Sequence, residues 1–84
     1  MRPSPDVVYR RLGDTAVLVH LGTNEIYELN DSGARLWELL AEGHALDDAI
    51  QTLVREFDVA EDTARRECND LVTDLLSRKL LEPA

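Results

Sequence analysis

The rhythm of hydrophobic and polar positions changes near residue 30. Before it, short β-prone runs alternate with turn signals. After it, apolar residues recur at intervals of three and four. Val7–Leu12 reads as a partly polar strand, and Gly13-Asp14 as a two-residue turn with glycine free to take positive φ at its first central position. Thr15–Leu21 is apolar on both faces of the pleat, which suits a central strand flanked on both sides. Gly22-Thr23-Asn24 forms a second turn, and Glu25–Leu29 a third, shorter strand. Turns this tight predict an antiparallel meander with the first and third strands as edges.

Asn30 or Asp31 is placed to cap a first helix. Its stripe is Ala34, Trp37, Leu40 and Ala41, and Gly43 stands at its C′ stop. Leu46, Ala49, Ile50, Leu53, Val54 and Phe57 keep helical spacing in a second, with Asp47 and Asp48 where the helix dipole favours negative charge. A third and longest helix runs from about Glu61 to Lys79, its stripe Ala64, Cys68, Leu71, Val72, Leu75 and Leu76. Residues 1–6, with two of the three prolines, read as a flexible or extended lead-in, and the leucines of the 80–84 tail are expected to pack back. The expected fold class is α+β: one domain over residues 1–84, a three-stranded antiparallel sheet followed by three helices, winged-helix-like in outline.

That outline would fit DNA binding, but the charge opposes it. Seventeen acids against nine bases leave a net charge of −8 in 84 residues. Residues 31–84 hold six bases and thirteen acids, a net of −7. The third helix, the would-be reader, carries Glu61, Asp62, Glu67, Asp70 and Asp74 against four bases. Nucleic-acid and anionic-membrane partners both require basic surfaces, so neither is expected. An acidic winged-helix transcription factor remains as a contrasting reading. The N-terminus leads into no long apolar run, so no signal peptide is expected, and no stretch matches a membrane span. The single cysteine, Cys68, excludes an internal disulfide and fits a reducing, cytoplasmic setting.

Candidate chemistry is sparse. His20 ends the central strand and His44 lies between helices, neither with a metal-ligand partner at short spacing. Cys68 lies on an apolar stripe, where a thiol is inert. The acid pairs at residues 47–48 and 61–62 suit helix starts, and the four glycines form no phosphate loop. No enzyme signature or cofactor motif is present. A binding surface is left: an edge strand beside a long helix can accept an extended peptide by strand addition. The candidate strand is Glu25, Ile26, Tyr27, Glu28 and Leu29. The candidate helix stripe is Arg65, Cys68 or Asn69, Val72 and Leu76. Tyr27, Leu29, Val72 and Leu76 fit equally well as plain core. Edge strands also pair between copies, so monomer and dimer both stay open.

Val7–Asp14, the apolar strand, Tyr27-Glu28-Leu29-Asn30 and Gly33–Leu40 with Trp37 resemble, in order and spacing, the PqqD-like family of precursor-peptide recognition elements. Phe57-Asp58-Val59 and Leu80-Leu81 fit the same pattern. The resemblance spans about Pro5 to Glu82 and implies a non-catalytic domain. In it, the leader segment of a ribosomally made precursor peptide adds a strand beside Glu25–Leu29 and packs on the third helix at Arg65, Asn69, Val72 and Leu76. A chain of this length resembles the separate leader-binding proteins of lasso peptide systems. The implied partners are then the precursor leader and a leader peptidase of the transglutaminase-like cysteine protease type, with a separate ATP-dependent macrocyclase closing the ring. The alternative within the family is the peptide chaperone of pyrroloquinoline quinone biosynthesis. One departure concerns the second and third helix starts, where many members have Ser or Thr and this chain has Ala45 and Ala60. Neither caps through a side chain, at a cost of about 1 kcal/mol each unless Asp47, Asp48 or Asp58 compensates.

Overall fold

The structure, a computed structural model, describes residues 1–83; Ala84, the end of the 80–84 tail, lies outside them. The elements in chain order are β1 (Arg2–Pro3), β2 (Val7–Leu12), β3 (Thr15–His20), β4 (Glu25–Leu29), α1 (Asp31–Ala41), α2 (Leu46–Phe57), α3 (Glu61–Ser77) and β5 (Leu81–Glu82). Strands β2, β3 and β4 form an antiparallel sheet with β3 in the centre. Gly13 takes φ +67° at the first position of the β2–β3 turn, a backbone open to glycine at no steric cost. The β3–β4 turn is held by His20, whose buried Nδ1 accepts from the N–H groups of Gly22 (3.0 Å) and Thr23 (3.3 Å).

Alternation along β3 divides its residues between two faces. Ala16, Leu18 and His20 are buried against the helices, while Val17 and Val19 stay half-exposed on an outer face that nothing covers among the described residues. This is why the strand is apolar on both sides yet lies in a sheet with one open face. The core gathers Leu18 and Leu29 from the sheet with Leu36, Trp37 and Leu40 of α1, Ile50 and Leu53 of α2, and Leu75 of α3. Tyr9 stacks on Trp37 with ring centroids 6.3 Å apart and donates its hydroxyl to Glu38, fastening β2 to α1.

The helix boundaries follow from their caps. Asn30 accepts from the N–H of Gly33 at 2.8 Å, and Gly43 just past α1 takes φ +98°. Ala45 and Ala60 occupy the extended N-cap positions of α2 and α3 without a side-chain hydrogen bond. Acids at 47–48 and 61–62 in the first turns supply favourable charge there.

The lead-in is a strand, which corrects the flexible alternative of the sequence reading. Arg2 and Pro3 pair antiparallel with Glu82 and Leu81, and the Ser4 N–H donates to the Leu80 carbonyl at 3.0 Å. Leu80 and Leu81 are buried, so the two chain ends close over the core together.

Candidate functional site

The edge of β4 faces α3 across a groove of about 550 Å³. One wall is Tyr27, Glu28 and Leu29 of β4, continuing into Asn30, Ser32 and Gly33 at the start of α1. The opposite wall is Ala64, Glu67, Cys68 and Leu71 of α3. Leu36, Leu53 and Phe57 form the floor, and Val59 stands at the α2–α3 link, after Asp58 in the left-handed region (φ +52°). The interior is mainly apolar, and its lining includes no lysine or arginine. Gly33 lets the first turn of α1 approach α3: a Cβ there would stand 3.3 Å from Leu71 Cδ2 and 3.1 Å from the capping Asn30 Oδ1.

The register decides which backbone groups of β4 are free. The Leu21 N–H donates to the Asp6 carbonyl at 2.8 Å, one step beyond the Val7–His20 pair. Antiparallel ladders alternate, so odd-numbered residues of β3 bond β2 and even-numbered ones bond β4. His20, Leu18 and Ala16 therefore bond Glu25, Tyr27 and Leu29. The N–H and C=O groups of Ile26 and Glu28 point away from β3, and no strand pairs with them among the described residues. The side chains alternate the other way. Tyr27 and Leu29 pack inward, while Ile26 and Glu28 lie on the outer face.

A polar cluster at Tyr27 ties β4 to α3. The Tyr27 hydroxyl donates to Asp74 Oδ2 at 2.6 Å. Arg78 donates to Asp74 Oδ1 at 3.1 Å and to Glu25 Oε2 at 2.6 Å, with its guanidinium carbon 5.2 Å from the centre of the Tyr27 ring. The bonds from Tyr27 and Arg78 hold the Asp74 carboxyl below its ordinary range, while burial and the neighbouring carboxylate push the Tyr27 phenol up. Burial likewise raises the Cys68 thiol, with the Glu67 charge adding to it, which disfavours the reactive thiolate. Cys68 is part of the groove wall.

All five expected strand residues lie together on β4, with Tyr27, Glu28 and Leu29 on the groove itself. The four expected helix residues do not line it. Arg65 turns toward α2 and bonds Asp47 at 2.8 Å, Asn69 is exposed, Val72 is in the core, and Leu76 packs half-buried against the core. At about 100° per residue, positions 65, 69, 72 and 76 stand roughly a third of a turn from positions 64, 67, 68, 71, 74 and 78. The core stripe of α3 runs between these two flanks, and the flank toward β4 is the second. Gly33, Phe57, Val59 and Glu67 were not singled out as groove residues by sequence reasoning. Their signal is the tight helix start after Asn30 and the Phe57-Asp58-Val59 link.

The fold has close counterparts. The family profile described as coenzyme PQQ synthesis protein D (PqqD) matches residues 15–81. No curated protein matches the chain. Among solved structures, TbiB1 in complex with the TbiA(beta) leader peptide superposes with a TM-score of 0.92 at 32% identity, covering 100% of this chain and 98% of that one. A lasso peptide synthetase B1 complexed with the leader peptide gives 0.86 at 29% identity, covering 98% and 96%. With the three-strand, three-helix architecture, the groove beside β4 and a profile match across most of its length, the chain belongs to the PqqD family.

Proposed function

We propose that this protein captures the leader segment of a ribosomally made precursor peptide and presents it to a leader peptidase in lasso peptide biosynthesis. The leader adds as a strand to β4. Its backbone pairs with the outward groups of Ile26 and Glu28, and alternate side chains enter the groove between Leu29, Phe57, Ala64 and Leu71. The observation that carries this reading is an unpaired strand edge bordering an apolar groove, in a chain similar over its whole length to two proteins solved with leader peptides. The protein performs no chemistry of its own. Its contribution is effective concentration: a held leader keeps the cleavage site near the peptidase. In a reducing cytoplasm the Cys68 thiol stays free.

The family description favours a second reading, a peptide chaperone of coenzyme PQQ synthesis. Full-length likeness to two leader-bound structures, one of them a lasso protein by name, weighs toward the lasso assignment. DNA binding finds no support in a chain of net charge −8. Titration of the labelled leader from the neighbouring precursor gene, followed by fluorescence polarisation, tests the reading. Saturable binding absent with a scrambled leader is expected. Equal binding of both, or none by the folded protein, overturns it.

A further inference from the structure

The outer face of the sheet carries chemistry that leader capture in the groove leaves unused. Register aligns two rows of side chains across it. Val8, Val19 and Ile26 form one row, and Arg10, Val17 and Glu28 form the next. The first row is apolar and open, with Val8 49% and Ile26 67% exposed. The second ends in a carboxylate with no ion partner among the described residues. Arg10 lies across Val17 from Glu28, and no ion pair joins the two among the described residues. The acids of the polar cluster, Glu25 and Asp74, are both engaged by Arg78. Glu67, on the α3 wall, also has no ion partner among the described residues, and no base lines the groove to offset either charge.

From this we infer that the protein reads both faces of the bound strand. An apolar side chain sits beside Ile26 and a cationic one beside Glu28, two residues apart, flanking the residue that points into the groove. This rests on strand addition at β4. Whichever way the added strand runs, its residues next to Ile26 and Glu28 share the outer face with them, because side chains alternate with period two. The apolar residue extends the Val8–Val19–Ile26 row and shields Ile26. The cation completes an opposite-charge pair with Glu28. Cross-strand pairs of this kind are worth about 1.4- to 5-fold in affinity relative to alanine, and like charges in the same place cost a similar factor. Specificity is thus divided: apolar burial in the groove supplies affinity, and the outer face selects among peptides with the same anchor.

The test is selection from a displayed library of random dodecapeptides on the full chain, in parallel for wild type, Glu28→Lys and Glu28→Gln. Wild type is expected to enrich a large apolar anchor flanked by an apolar residue on one side and Lys or Arg on the other. Glu28→Lys should keep the anchor and replace the cation by Asp or Glu, and Glu28→Gln should lose the charge preference. In a wild-type-selected peptide, replacing the cation by alanine should weaken binding about 2- to 5-fold at low salt. Identical enrichment by all three proteins, with the anchor retained, overturns the outer-face reading and leaves leader capture intact. Failure of folded wild type to enrich any anchored peptide overturns strand addition and this inference together.

Discussion

Tyr27 stands where the groove, the sheet and α3 meet. Its ring carries the Arg78 guanidinium and its hydroxyl bonds Asp74, so one side chain ties β4 to α3. Tyr27→Phe keeps the ring but removes the donor. The expected loss is about 1 kcal/mol or less, because the site is partly open to water. Asp74 has a lowered folded pKa, so its contribution is present above the ordinary carboxylate range and fades as pH falls through the folded value. Chemical denaturation across pH 2–6 should show a shallower acid decline for the variant, and parallel profiles would mean the bond contributes nothing. On α3, Val72 and Leu71 are neighbours with different duties. Val72 is 6% exposed in the core, so Val72→Asp strands a charge there and should unfold the domain, at a cost of several kcal/mol. Leu71 is only half-buried on the groove wall. Leu71→Asp should leave a folded protein whose leader affinity falls at least tenfold. Circular dichroism with titration separates the two outcomes. The sequence placed both leucine and valine on one apolar stripe. It carried no sign of which flank faces β4, because that depends on how α3 rolls against α2.

At the scale of elements, β4 was legible as a strand and as an edge, since no later segment of sufficient length reads as β. Which of its residues bond outward was not. That parity is fixed by the turn geometry and by the Leu21–Asp6 bond at the far side of the sheet. It divides two otherwise similar variants. Ile26→Pro deletes a donor at the free edge of β4, so the fold should survive while leader binding is lost. Tyr27→Pro deletes a donor to β3 within the Leu18 pair and should dissolve the β3–β4 ladder itself. Thermal melts beside binding curves distinguish them, and equal stability of the two would refute the assigned parity. The helix starts were legible in a different way. Ala45 and Ala60 have extended N-cap backbones at φ −66° and −64°, the geometry a serine cap adopts. Ala45→Ser and Ala60→Ser should each add about 1 kcal/mol, a rise in Tm of roughly 4–8 °C, without touching the groove.

Over the whole molecule, residues 2–3 and 81–82 pair with each other; the packing of the tail leucines was legible in the sequence, and the pairing of the lead-in with them was not. Two prolines in the first six residues indicate irregular chain, and a two-residue strand is too short to leave a periodic signal. Only the tail gave a hint, through Leu80 and Leu81. The consequence concerns stability rather than recognition. A domain of this size holds a margin of about 4–13 kcal/mol, so a terminal clip matters. Deleting residues 1–5 removes the partner of β5, the Ser4 bond to the Leu80 carbonyl and the cover that Met1 gives the core. At about 1 kcal/mol per lost net hydrogen bond plus lost burial, the truncated chain should be destabilised by about 2–3 kcal/mol yet remain folded. No residue of β1 or β5 lines the groove, so leader affinity at low temperature should equal that of the full chain. Denaturant unfolding and leader titration on the same preparation measure both. An unchanged unfolding midpoint would make the terminal pairing incidental. A loss of affinity in the folded truncation would mean that the ends position β4 and α3 at a distance, through the buried leucines that β1 covers.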